Sequence, residues 1–192
     1  MDAINIPADF RHYQREWGIW KENRDAFLEY TIPRVGQESA YDALTELANK
    51  DEGTVVLVGE SRAGKSWLVS AYMNTKMKEW YNTNVNREAR YMTFFEFELA
   101  LRSAMVKGTM DVLFATLCSY SVLVVDEIGR GKWSDFTATF FENLLINRYG
   151  NRKATALATN LNVKELFEMF DLAIIERLKT GKICQVRKLS EK

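Results

Sequence analysis

The stretch TVVLVGESRAGKSWLV, Thr54 to Val69, joins an apolar run to a potential helix through a turn holding Gly59, Gly64, Lys65 and Ser66. Glycine, four residues, glycine, lysine and serine in that order form a phosphate-binding pattern, and the chain contains it once. The glycines allow a tight fold in which the N–H groups of Glu60, Ser61, Arg62 and Ala63 point inward at an anion. The helix start, with Trp67 in its first turn, adds the positive end of its dipole. Lys65 would reach the β- and γ-phosphates, and Ser66 would place its hydroxyl on Mg²⁺.

Hydrolysis needs a carboxylate facing Ser66 for the metal and a group that orients water. SVLVVDEIG supplies both in order: Asp126 ends an apolar strand and suits the metal, and Glu127 follows it and can polarise the attacking water. In ATALATNLN, Asn160 ends another strand, where its amide could position water or touch the γ-phosphate. Turn or cap chemistry explains an asparagine there equally well.

These residues need a frame with several strand ends side by side. From Thr54 onward apolar runs alternate with helical patterns: TVVLVG, ARYMTF, YSVLVVDE and ATALATN as strands, with helices between them. Strands apolar nearly throughout imply a parallel sheet covered on both faces, and such sheets bind ligands at their carboxyl ends. Ser134 is a plausible N-cap, with Gly150 past the end of that helix. Asn162 with Glu165 reads as a capping box. Before Pro33, DFRHYQREWGIWKENRDAFLEY spaces its aromatics by three or four and predicts a helix weakened at Gly18. After it, QESAYDALTELANKDEG predicts an amphipathic helix with Gly53 beyond its end. Residues 1–36 are thus expected to form a helical extension and residues 37–192 the nucleotide-binding core.

Composition narrows the classes. The 192 residues are 47% hydrophobic, enough for a real core, and their net charge of zero makes no global case for a nucleic-acid partner. The charge is uneven, however: residues 145–192 hold ten Lys/Arg against five Asp/Glu, either a solvated surface or a basic face that meets phosphates. One histidine, His12, and two distant cysteines, Cys118 and Cys184, leave no zinc spacing and no histidine triad. Lone cysteines read as core fillers in a reducing compartment. MDAINIPADF lacks the regions of a signal peptide, and no apolar run approaches the roughly 18 residues of a membrane span, so a cytoplasmic location is expected.

With GESRAGKS, LVVDEIG, LATNLN and IIERLK in order, the chain resembles the AAA+ ATPases, within them the DnaC/IstB group of helicase loaders and transposition helper ATPases, over about residues 31 to 180. The resemblance implies a three-layer α/β/α P-loop NTPase fold with a parallel central sheet and no C-terminal lid domain. It implies Walker A roles for Lys65 and Ser66, Walker B roles for Asp126 and Glu127, and a sensor-1 role for Asn160. Arg177 looks like the arginine finger that reaches a neighbouring subunit's γ-phosphate. YTIPRV resembles a segment that contacts adenine, which points to Ile32 and Pro33. The helix at about 94–107 resembles one near single-stranded DNA in related initiators, where Arg102 and Lys107 could meet phosphates or simply face solvent. The cofactors implied are ATP and Mg²⁺. The implied partners are further copies of the chain, single-stranded DNA, and a replicative helicase or a transposase.

Two departures stand out. Glycine is usual where Arg62 stands, and Arg187, the candidate for a sensor-2 arginine, follows Arg177 sooner than the family pattern has it. Trp17, Trp20, Phe27 and Tyr30 are either anchors for a partner or packing against the core. The expected function is an ATP-hydrolysing loader acting on nucleic acid. An IstB-like transposition helper is the alternative within the family, and a small-molecule P-loop kinase is the alternative of another class. A kinase would add an arginine-rich lid, and no such segment is evident.

Overall fold

The computed structural model describes residues 7–129, 133–170 and 172–188. Five strands form one parallel sheet: β1 (Gly53–Val58), β2 (Ala89–Thr93), β3 (Val122–Ile128), β4 (Ala154–Thr159) and β5 (Lys182–Gln185). Their spatial order is β2-β3-β4-β1-β5. The sheet is buried on both faces, as its apolar strands require. Along β1, Val55 and Leu57 enter one apolar cluster and Val56 and Val58 the other.

The first cluster lies under α1 (Ala8–Glu16), α2 (Glu38–Lys50) and α3 (Lys65–Thr83). The second lies under α4 (Phe94–Lys107), α5 (Met110–Ser119), α6 (Asp135–Gly150), α7 (Val163–Met169) and α8 (Leu172–Thr180). This is the three-layer α/β/α arrangement expected, and among the described residues no helix is long and apolar enough to cross a membrane. Local chemistry sets several of the boundaries. Ser134 caps α6 by accepting from the Thr137 amide, and Asn162 with Glu165 forms a complete capping box on α7. Thr93 and Glu96 form another on α4.

The N-terminal segment departs from the expected single helix. α1 ends at Glu16, and short 3-10 turns follow at Lys21–Asn23 and Leu28–Tyr30. Gly18 is the cause: its φ is +92°, and a Cβ there would lie 2.1 Å from the Tyr91 carbonyl oxygen. The chain presses against the sheet at this point, where the Tyr91 amide donates to the Trp17 carbonyl at 2.7 Å. Phe10, Ile19, Phe27 and Leu28 are buried in the first cluster and Trp17 packs against it. Trp20 and Tyr30 stay 41% and 50% exposed. Two buried amides tie this segment to α3: Gln14 Nε2 donates to Asn74 Oδ1 at 2.8 Å, and Asn74 Nδ2 donates to the carbonyls of Asn23 and Ala26.

Smaller differences occur at helix ends. Asp51, in the left-handed conformation, caps α2, and Gly53 opens β1. Gly150 is the last residue of α6 and Asn151 caps it. The short strand β5 adds an element beyond the four strands expected; its four residues carry too little pattern of their own. Cys184 is buried and Cys118 half-buried, both as free thiols, in keeping with core fillers.

Candidate nucleotide-binding site

Strand order places the carboxyl ends of β3, β4 and β1 next to one another. The turn after β1 leads into α3, and Gly64 stands immediately before that helix with φ +94°. A Cβ on Gly64 would lie 2.5 Å from Gln37 Nε2, so only glycine fits this cradle as it is built. Gln37 in turn fastens the loop, donating to the Ala63 carbonyl at 2.7 Å while its own Oε1 accepts from the Arg34 amide. Arg62 also has a left-handed backbone, φ +65°, so it adopts the conformation that a glycine at this position would serve.

The cavity at these strand ends measures about 210 Å³. Ser61, Arg62, Gly64, Lys65 and Ser66 line it from the loop side, Asp126 and Glu127 from β3, and Thr159 and Asn160 from the end of β4. The Lys65 ammonium donates to the carbonyls of Gly59 and Glu60, both at 2.7 Å, and to Asn160 Oδ1 at 2.8 Å. Motifs 95 residues apart in sequence are therefore joined by one hydrogen bond. Burial pushes the lysine below its ordinary pKa, and the negative charge of Asp126 opposes that shift.

Asp126 is buried and held through both oxygens. Oδ2 accepts from the Tyr91 hydroxyl at 2.6 Å and Oδ1 from the Glu127 amide at 2.7 Å. Burial, followed by the Asp126 charge, pushes the Tyr91 phenol well above its ordinary value. The β3–β4 register shifts between Val125 and Ile128, and Glu127 in this irregular step has φ +58°. The step breaks strand alternation, so Asp126 and Glu127 both line the cavity. Thr159 fixes the far side, its hydroxyl donating to the Ile128 carbonyl at 2.6 Å and accepting from the Leu161 amide at 3.0 Å.

The remaining expected positions lie elsewhere. Gly59, Glu60 and Ala63 do not line the cavity; the carbonyls of the first two accept from Lys65, and that of Ala63 accepts from Gln37. Trp67 is on the first turn of α3, partly exposed and away from the cavity lining. Ile32 is 82% exposed and does not line the cavity, and neither does Pro33. Arg177 lies on α8, and its side chain falls outside the described residues. Arg187 lines a second cavity of about 840 Å³, which it shares with Gly59, Glu60, Asn160 and Lys164, and its amide donates to the Gly36 carbonyl at 3.1 Å. Arg102 and Lys107 are exposed on α4. Part of the C-terminal basic surplus is internal or paired, since Arg148 is fully buried and Lys182 meets Glu46. Tyr91 and Gln37 lie in no motif, and Thr159 lies within LATNLN without a role assigned to it; the strand order and the loop path bring all three to the site.

The donors present fit a nucleoside triphosphate with a hard cation. The cavity presents a lysine and the N-terminal turn of α3 to phosphates, beside the loop residues Ser61, Arg62 and Gly64, while the expected inward amide of Ala63 instead donates to the Glu60 carbonyl at 3.3 Å. Asp126 and Ser66 offer oxygen donors of the kind Mg²⁺ prefers, too few to cage it alone, as suits a metal that keeps water and phosphate ligands.

Comparison with known proteins agrees with this chemistry. Residues 29–180 match the IstB-like ATP binding protein family. Over 161 residues the chain is 20% identical to the replicative helicase loader DnaC of Escherichia coli (strain K12), covering 81% of this chain and 63% of that protein. Over 138 residues it is 22% identical to the insertion sequence IS232 ATP-binding protein of Bacillus thuringiensis subsp. berliner, covering 72% of this chain and 52% of that one. The chain thus spans less than two thirds of the length of either relative. A crystal structure of the DnaC helicase loader superposes with a TM-score of 0.72 at 19% identity, covering 87% of this chain and 99% of that one. The fold is that of the AAA+ P-loop ATPases.

Proposed function

The chain belongs to the IstB-like ATP-binding protein family, and from that premise we propose that it hydrolyses Mg²⁺-ATP between subunits to load a replicative helicase onto single-stranded DNA in the cytoplasm. The observation that carries this reading is the convergence of Lys65, Ser66, Asp126, Glu127 and Asn160 on one cavity at the ends of three adjacent strands.

In this scheme the amides of the loop and of the first turn of α3 bind the phosphates. Lys65 exchanges its carbonyl partners for the β- and γ-phosphate oxygens, which match an ammonium better than neutral carbonyls do. Asp126 and Ser66 would hold Mg²⁺, which would supply positive charge against that developing on the phosphoryl oxygens. Glu127 takes a proton from the attacking water. Asn160, released from Lys65, aligns that water or the γ-phosphate. Arg177 of a neighbouring copy completes the site, because a guanidinium suits the equatorial oxygens of the transferred group. Ile32 and Pro33, on the segment that Gln37 fastens to the loop, flank the adenine.

Glu127→Gln separates binding from turnover. It is expected to bind ATP like the parent and to lose hydrolysis by two orders of magnitude or more, roughly the scale of losing a general base. An unchanged rate removes Glu127 from the mechanism. For the parent, specific activity should rise with protein concentration and with single-stranded DNA, and independence from both overturns the shared-site scheme.

The match to the IS232 protein supports a second reading within the same family, a transposition helper. Capture with the Glu127→Gln chain in ATP decides between them: a replicative helicase supports the first reading, and a transposase replaces it with the second. Family membership favours either over the small-molecule kinase.

A further inference from the structure

We propose that Tyr91 is a positioning residue for the metal-side carboxylate, and that it fixes the orientation of Asp126 before Mg²⁺-nucleotide arrives. The inference rests on the reading of Asp126 as the residue that faces Mg²⁺.

Tyr91 belongs to none of the recognised motifs and sits on the edge strand β2, opposite Val124 in the parallel ladder. Parallel register puts Tyr91 and Val124 on the α3 face of the sheet, where both join the first apolar cluster. From there the phenol donates to Asp126 Oδ2 at 2.6 Å, and Asp126 in turn lines the cavity. Tyr91 is 1% and Asp126 3% exposed, so water does not compete for this bond. A hydroxyl bonded to a buried carboxylate is a charge-assisted contact, stronger than a neutral pair. The Glu127 amide holds the other oxygen at 2.7 Å. Two donors, one from the neighbouring strand and one from the following residue, stop the carboxylate from rotating. Each of its oxygens keeps a lone pair for a cation.

The tyrosine is itself held from outside the sheet. Its amide donates to the Trp17 carbonyl at 2.7 Å, and Gly18 lies close against its carbonyl. The N-terminal segment therefore braces the residue that braces Asp126. An outer partner of this kind, when lost, lowers metal affinity by about 10- to 100-fold.

The test is Tyr91→Phe, which keeps the ring in the core and removes one oxygen. ADP affinity is measured by equilibrium titration with Mg²⁺ and with EDTA in the parent, Tyr91→Phe, Asp126→Asn and the double variant. The strengthening of ADP binding by Mg²⁺ should fall about tenfold in Tyr91→Phe, with ADP affinity in EDTA unchanged. In the Asp126→Asn background the same change should have little further effect, because the two residues act as one unit. Full retention of the Mg²⁺ effect in Tyr91→Phe overturns the proposal. So does an equal loss of ADP affinity with and without metal, or a loss of the cooperative thermal transition, either of which makes Tyr91 merely structural. A parent that binds no ADP, or binds it without any Mg²⁺ effect, instead sinks the nucleotide-site reading on which the proposal depends.

Discussion

Arg62 carries a backbone conformation that its own side chain disfavours. Its φ of +65° brings Cβ close to the following carbonyl, at a cost of roughly 1–2 kcal/mol. Glycine removes that cost but makes the unfolded chain more flexible by about 0.5–1 kcal/mol. Arg62→Gly is therefore expected to raise stability by up to about 1 kcal/mol, or about 2–4 °C in Tm for a chain of this size. Arg62→Ala, which keeps the strain, should leave Tm nearly unchanged. Thermal melts of both variants check this, and a glycine variant that melts lower than the parent removes the strain argument. Arginine in place of the usual glycine thus leaves the turn intact while adding a cation to the cavity lining. Glu127 has the same kind of conformation, φ +58°, at the step where β3 breaks alternation. Sequence revealed its identity and neighbours, but not the irregular step that turns it toward the cavity.

Arg148 shows how an element can depend on one buried cation. It lies on α6 and is fully buried, and among the described residues its hydrogen bonds go to a hydroxyl and to backbone carbonyls rather than to a carboxylate. Its Nε donates to Thr155 Oγ1, Nη1 to the carbonyls of Leu117 and Tyr120, and Nη2 to the carbonyl of Ala154. The guanidinium thus joins the C-terminal end of α5 to the start of β4, and the negative end of the α5 dipole favours its charge. Burial pulls its pKa down to about 10. Arg148→Met removes all four bonds and strands buried carbonyls, so stability should fall by about 3 kcal/mol or more. Arg148→Lys should fall between the two, since an ammonium has three donors and no planar fork. Urea denaturation measures both, and a methionine variant within about 1 kcal/mol of the parent contradicts this role. Sequence placed Arg148 in a basic C-terminal region and could not tell a surface charge from an internal clamp. α1 is shorter than its sequence pattern implies for a related reason. The aromatic spacing runs on past Gly18, but contact with Tyr91 turns the backbone there.

Across the whole molecule, the N-terminal segment is packed into the core it precedes in sequence. Phe10, Ile19, Phe27 and Leu28 are buried with α2 and α3. At about 1.5–3 kcal/mol for each buried large apolar side chain, their loss is comparable to the 5–15 kcal/mol of a typical domain's stability. A chain of residues 37–192 alone is therefore expected to melt without a cooperative transition or to aggregate, by circular dichroism and light scattering. A cooperative melt near that of the parent would make residue 37 an independent folding boundary. Asn74→Ala, which leaves the side chain of Gln14 and the carbonyls of Asn23 and Ala26 without their amide partner, should cost about 1–3 kcal/mol. A loss below about 0.5 kcal/mol would show that the amide pair does not hold the segment in place. Assembly belongs to this scale too. If Arg177 acts across a boundary, Arg177→Ala and Lys65→Ala chains, each inactive, should regain activity when mixed. No recovery at any ratio removes the shared site.

Sequence alone determined the chemistry of the loop and the alternation of the elements. The loop pattern is local: eight consecutive residues with two glycines, then a lysine and a serine that open a helix, require no distant contact to be recognised. Apolar strands alternating with helices likewise imply a buried parallel sheet, because the helices that connect parallel strands cover both of its faces. Asp126, Glu127 and Asn160 were legible because each falls within or just after the carboxyl-terminal residues of a strand, Asp126 and Glu127 before Ile128 in β3 and Asn160 after Thr159 of β4, the side where such sheets bind ligands. Only the tertiary structure decided which strand ends stand together, that Lys65 bonds Asn160, that Tyr91 and the Glu127 amide fix Asp126, and that Gln37 fastens the loop. The physical reason is separation along the chain. Tyr91 and Asp126 are 35 residues apart, and Lys65 and Asn160 are 95. No periodicity records the strand order that makes them neighbours; it follows from how two apolar faces are covered at once by the whole chain.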